Sequence, residues 1–190
     1  MASPALRRWA TVAIAFTGLL FAFAFFSQPQ RRPPSATQMR EAERELEHRS
    51  VIPVGNYVAA TRGGLAEHSL AFGFLQPEED GTWMSQLSAY LYFEVDSGRE
   101  PIALEIDLQP LIASDSRKRV VTLTSSSDDL TVEMTGARQR VLVALNGEST
   151  QSLVITCDKV QSPISLELSP DRRALCAKVF GYQVIGELRE

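Results

Sequence analysis

The sequence predicts a mainly β protein: an antiparallel β-sandwich of jelly-roll type, preceded by one N-terminal transmembrane helix and a short charged helix. Three observations lead there. From residue 51 onward, short runs of alternating apolar residues recur at about 8–12-residue spacing, with turn residues between them. No helical periodicity that would supply the crossovers of a parallel sheet lies between those runs. Residues 9–26, WATVAIAFTGLLFAFAFF, hold no charge and no proline.

The chain divides into an arm (1–8), a transmembrane anchor (9–26), a Pro-rich linker (27–35), a charged helix (36–50) and the β-sandwich (51–190). The apolar run lies within the ~17–25 residues a membrane-spanning helix needs, longer than a typical signal-peptide core. Arg7 and Arg8 precede it, and the small-x-small candidate at the end of the run is Ala22-Phe23-Ala24. An uncleaved signal anchor is the favoured reading, with a cleaved signal peptide and a core helix as the alternatives. Ala13, Ala15, Thr17 and Gly18 are small residues that would let a neighbouring helix approach closely.

Two signals conflict on orientation. A count of Arg31, Arg32, Arg40 and Arg44 against Arg7 and Arg8 places the downstream side in the cytoplasm. The short N-terminal arm and the β-rich domain favour the opposite: a single-pass protein of the inner membrane with its domain in the periplasm or extracellular space.

SQPQRRPPS (27–35) cannot continue a helix and reads as an extended spacer, with Arg31 and Arg32 placed to meet lipid headgroups. Ser35 and Gln38 then match a capping box. Glu41/Arg44 and Glu45/Arg49 are favourable helical pairs, and the apolar seam is only Met39, Ala42 and Leu46. That helix is a charged stalk or a docking helix.

Strands follow in order. Pro53 and Gly55 mark one turn, and Arg62-Gly63-Gly64 another. Leu70, Phe72 and Phe74 alternate, QPEEDG (76–81) is a polar turn, and Leu87 to Val95 is a strong strand. Ile102, Leu104, Ile106 and Leu108 alternate with Ala103, Glu105 and Asp107. Arg119–Thr124, Leu130–Met134 and Arg140–Leu145 are short strands. Asn146-Gly147 is a type I′ hairpin signal joining the last of these to Ser152–Cys157. Ile164, Leu166 and Leu168 form another alternation, and Leu175–Phe180 and Tyr182–Leu188 close the chain.

The net charge of −4, with 19 Lys+Arg against 23 Asp+Glu, carries no basic block for nucleic acid. The two His and two Cys are spread without ligand-like spacing, and no glycine-rich phosphate loop occurs, so neither a metal nor a cofactor is expected. His48 and His68 stand outside any nucleophile or metal motif and read as hydrogen-bonded or exposed side chains. Glu78, Glu79 and Asp80 form an acidic turn, and Ser125 to Asp129 a polar loop, both read as solvated. Cys157 and Cys176 would enclose a complete strand if bonded, but strand phase sets Cys157 with Leu153 and Ile155, and Cys176 with Lys178 opposite Ala177 and Val179. The phase argues against the bond unless a bulge intervenes. Trp83, Tyr90 and Tyr92 are either core aromatics or a platform on which a sugar ring stacks.

Gly73 to Trp83, GFLQPEEDGTW, is similar to the GW-x-x-PE-x-x-G-x-W stretch that opens the C-terminal β-sandwich of many bacterial membrane glycosyltransferases. Arg140 to Gly147, RVLVALNG, resembles that family's R-x-V-x-V-x-V-NG segment. Ser162-Pro163 and Leu168 to Leu175, LSPDRRAL, resemble its SP-x-x-LGLS-x-DxRRLG ending. The likeness covers about residues 65 to 186. It implies a jelly-roll-like sandwich on the extracytoplasmic side, near cell-surface glycans. The first Trp of the pattern is Phe74 here, and no catalytic residue carries over.

The expected function is therefore that of a non-catalytic, membrane-anchored accessory or scaffolding subunit, in contact with lipid and with integral-membrane proteins. The alternative is a cell-surface glycan-binding module.

Overall fold

The computed structural model describes residues 50–96, 98–112 and 118–188. The arm, the anchor with Ala13, Ala15, Thr17 and Gly18, the linker, and the charged helix with His48 lie outside the described residues. Among those described, no helix is long and apolar enough to cross a membrane.

Among the described residues, ten strands make up two sheets: β1 Val51–Ile52, β2 Tyr57–Ala59, β3 Thr82–Trp83, β4 Ser88–Val95, β5 Arg99–Pro110, β6 Arg119–Thr124, β7 Asp129–Met134, β8 Gln139–Ala144, β9 Thr150–Cys157 and β10 Ala177–Leu188. The first sheet runs β1-β4-β9-β6-β7, and the second β2-β10-β5-β8, with β3 also on β10. Every pairing between these strands is antiparallel except β1 with β4.

The two inner faces make one core. The first sheet contributes Leu91, Phe93, Val121, Leu123, Leu153 and Ile155, all fully buried. The second contributes Leu104, Ile106, Leu108, Val143, Val179, Tyr182 and Val184. Burial of each such large side chain is worth about 1.5–3 kcal/mol before chain entropy is counted. Phe93 and Tyr182 stack across the gap between the sheets at 5.3 Å. The buried Tyr182 hydroxyl donates to Ser69 Oγ at 2.6 Å, and Ser69 donates in turn to the Ala66 carbonyl. The β-sandwich expectation therefore stands at the level of two packed β-sheets.

Several local expectations change. The Asn146-Gly147 turn does not make a hairpin: β8 pairs with β5, and β9 with β4 and β6. Gly147 takes the left-handed conformation at φ 78, but the chain leaves one sheet through Leu145 N–H to Ile102 O and joins the other through Val95 N–H to Ser149 O. Turn chemistry specifies a reversal, not which sheet receives the next strand.

Ile164, Leu166 and Leu168 are not a strand. Pro163 opens a 3₁₀ turn, Pro163–Leu166, whose N-cap Ser162 accepts from Ser165 N–H, and Ile164 and Leu168 stand exposed. The Leu70–Phe74 alternation follows a 3₁₀ turn, Leu65–Ser69, and makes only isolated bridges. The runs Leu175–Phe180 and Tyr182–Leu188 merge, from Ala177 onward, into a single strand, β10, which absorbs a bulge between Val179 and Gly181, while Leu175 makes an isolated bridge to Gln161. On β5, Ile102 is exposed while Leu104, Ile106 and Leu108 are fully buried.

Cys157 and Cys176 form a disulfide, with Cα atoms 6.3 Å apart. It ties the end of β9 in the first sheet to the residue before β10 in the second. The phase argument fails because Leu175 to Val179 are all buried, so alternation does not distinguish inner from outer positions there.

Candidate binding face

The outer face of the second sheet gathers charged and aromatic side chains from five segments. β5 places Glu105, Asp107 and Gln109 outward, since Leu104, Ile106 and Leu108 take the inner positions. Lys178 on β10 sits opposite both Trp83 and Gln109. The bulge then turns Phe180 outward while Val179 and Tyr182 both remain in the core.

Asp107 is the centre of one network, only 2% exposed although it stands on the outer face. Arg138 grips it through two bonds, Nε to Oδ1 at 2.8 Å and Nη2 to Oδ2 at 2.5 Å. Tyr57 OH lies 3.4 Å from Asp107 Oδ2 and accepts from Arg138 Nη2 at 3.4 Å. Arg140 pairs with Glu105 at 3.0 Å, its Nε 4.0 Å from Asp107. Burial and the Asp107 carboxylate push the Tyr57 phenol above its ordinary range, with Arg138 opposing them. Arg138 also lies over the Phe180 ring, 4.2 Å from its centre.

Lys178 is the centre of the second network, 6% exposed. Its ammonium donates to Asp80 Oδ1 at 2.5 Å and Glu78 Oε2 at 3.1 Å, and lies 5.4 Å from the Trp83 ring centre. Arg173 reaches the other Glu78 oxygen at 2.9 Å. Burial pushes the Glu78 carboxyl up, but the bonds from Arg173 and Lys178 outweigh it and hold the group below its ordinary value. The Lys178 bond lowers Asp80 likewise, against a smaller effect of burial. The acidic turn is therefore solvated and also a clamp on Lys178, through Glu78 and the 70% exposed Asp80, while Glu79 is exposed and has no partner among the described residues.

Of the residues singled out in the sequence, Trp83 lies half-buried on this face. Tyr90 and Tyr92 do not join it. They belong to β4 in the first sheet, where Tyr90 is buried edge-on against Phe72 at 6.4 Å and Tyr92 is half-buried. Burial raises the Tyr90 phenol. Nearness in sequence misleads because β3 and β4 belong to different sheets. His68 is exposed at the end of a 3₁₀ turn. Ser125 Oγ accepts from the N–H groups of Ser127 and Asp128 and donates to the Ala144 carbonyl, so the polar loop is ordered by its own turn. Among the described residues, no three His, Cys, Asp or Glu are grouped to hold a metal ion.

Tyr57, Asp107, Arg138, Lys178 and Phe180 were not singled out. One signal was present: Lys178 interrupts an apolar run, LCAKVF, where a charge must be paired.

No family model matches the chain, and no curated protein matches it. Similar solved structures include an acetyl xylan esterase from the rumen bacterium Butyrivibrio proteoclasticus, with 12% identity, TM-score 0.33 and coverage of 74% of this chain and 29% of that one. Another is a family GH115 4-O-methyl-α-glucuronidase with specificity for decorated arabinogalactans, at 13% identity and TM-score 0.35, covering 69% of this chain and 16% of that one. A third is a ruminal GH26 endo-β-1,4-mannanase, at 9% identity and TM-score 0.29, covering 57% and 20%. The chain spans less than a third of the length of each of these three. Similarity of this degree assigns neither activity nor ligand.

Proposed function

We propose that the protein is a non-catalytic accessory subunit, anchored in the inner membrane through residues 9–26, whose jelly-roll sandwich docks on integral-membrane partners at the extracytoplasmic side. With the two-residue strands β1 and β3 set aside, the strand orders β4-β9-β6-β7 and β2-β10-β5-β8 support the jelly-roll reading, since these eight strands interleave as two four-stranded layers wound together. The disulfide supports the extracytoplasmic side, because such bonds persist in oxidising compartments. It weighs against the literal count of positive charges around the anchor.

The observation that carries a binding rather than catalytic role is the state of the outer-face charges. Asp107 and Lys178 are each buried and locked to opposite charges. A general acid or base instead presents an exchangeable proton to a substrate. The test is purification of the full-length tagged protein from its native membranes in mild detergent, with mass spectrometry of what accompanies it. A stoichiometric set of membrane proteins is expected, and a protein that always runs alone would overturn the assignment.

A second reading, a cell-surface glycan-binding module, is favoured by the ring surfaces of Tyr57, Trp83 and Phe180 on one face of one sheet.

A further inference from the structure

We propose that the outer face of the second sheet, centred on Tyr57, is a subsite for a pyranose ring of a neutral glycan; this deepens and rests on the second reading above. Tyr57 reaches from β2 across β10 toward β5. Its phenolic tip lies over Gly181, where an added Cβ would come within 2.6 Å of both Cζ and the hydroxyl oxygen. The same Cβ would meet the Val58 carbonyl oxygen at 2.4 Å, so the backbone of β2 as well as the ring requires glycine there. The hydroxyl is held at its far end by Asp107 and Arg138, each at 3.4 Å, yet the residue remains 43% exposed. An aromatic ring pinned at its tip and open to solvent loses little conformational entropy when a ligand covers it.

The polar groups beside the ring match hydroxyls. Arg138 spends Nε and Nη2 on Asp107 and Tyr57, and among the described residues nothing accepts from its Nη1, in a side chain 51% exposed. That nitrogen carries two N–H donors in the same guanidinium that contacts the Tyr57 hydroxyl, so they are available to a ligand oxygen beside the ring. A pyranose presents apolar C–H groups on one face and hydroxyls at its rim, so it satisfies both features at once.

Charge selects the class of glycan. Arg138, Arg140, Lys178 and Arg173 are paired within 4.0 Å to Asp107, Glu105, Glu78, Asp80 and Asp171, four cations against five carboxylates. The balance leaves no surplus positive charge for a uronate, sulfate or phosphate, and a neutral sugar meets no repulsion.

The experiment uses full-length protein in detergent micelles. It is titrated calorimetrically with hexasaccharides of glucose, mannose, xylose and N-acetylglucosamine, and with hexagalacturonate as the anionic comparator. At least one neutral hexasaccharide should bind. Tyr57→Leu should weaken it about tenfold or more, and Tyr57→Phe, which keeps the ring, should stay within about threefold. Leu168→Ser, on an exposed turn outside this face, should bind as the parent does. Absence of neutral binding overturns both this subsite and the glycan-binding reading. Binding that survives Tyr57→Leu overturns the subsite and leaves that reading standing. Tighter binding of hexagalacturonate overturns the assignment to a neutral sugar.

Discussion

Asp107 and Arg138 meet through two hydrogen bonds, Nε to Oδ1 at 2.8 Å and Nη2 to Oδ2 at 2.5 Å, on the solvent side of β5. One partner is almost wholly buried and the other half exposed, at 3% and 51% of their side chains. Removal of Arg138 leaves a desolvated carboxylate with only Tyr57 and, at 4.0 Å, Arg140. Arg138→Ala should cost about 2 kcal/mol, between the value of a surface pair and that of a buried one. Asp107→Ala alone should cost less, because Arg138 can turn to water. Urea denaturation of the two single variants and the double variant measures the coupling, and additivity of the two costs would refute it.

The Cys157–Cys176 bond links the sheets across a sequence separation of 19. Closing a loop of that size in the unfolded chain is worth about 3 kcal/mol. The Cys157→Ser/Cys176→Ser double variant should therefore melt about 10 °C lower by calorimetry. A reductant should produce the same shift in the parent and none in the variant.

Acid should loosen the turn at residues 76–81. Glu78 and Asp80 are held below their ordinary values of 4.5 and 3.8, chiefly by Lys178 and Arg173 against the upward push of burial. A carboxylate with a depressed native value contributes its stability above the unfolded value and loses it as pH falls through the native one. The loss should begin near pH 4.5 and grow below 3.8. Lys178→Met keeps an unbranched side chain of similar reach and removes the charge, so its stability should fall less steeply over that range in acid titrations followed by tryptophan fluorescence.

Tyr182 should be silent in an alkaline titration. Burial, only partly opposed by its bond to Ser69, drives its phenol far above the ordinary value of 10.0. The folded protein holds that proton while the unfolded chain releases it, so stability is complete below pH 10 and falls as pH rises beyond it. Phenolate absorbance should show Tyr182 ionising only with unfolding. Tyr182→Phe should remove that step and cost about 1 kcal/mol, the value of one buried hydrogen bond.

Much of the strand pattern was legible because period-two alternation follows from one buried face. β6 was readable to its end residues, and Leu104, Ile106 and Leu108 were placed on the core side. The 3₁₀ turn at Pro163 was misread because alternation in a stretch this short is also compatible with a capped turn. The partnership of Trp83 with Tyr90 and Tyr92 was misread for a different reason, since adjacent strands here enter opposite sheets.

By itself, then, the sequence determined the class of element: strands rather than helices after residue 51, and the inward side of most of them. Burial of apolar side chains is a local demand, written in each segment. Which strands pair, whether Cys157 meets Cys176, and that Tyr57 reaches Asp107 past Gly181 were decided only in three dimensions. The disulfide joins residues 19 positions apart, the Tyr57–Asp107 contact 50, and the pairing of Tyr57 with Gln183 more than 100, and sheet assignment depends on how the whole core closes rather than on any one stretch.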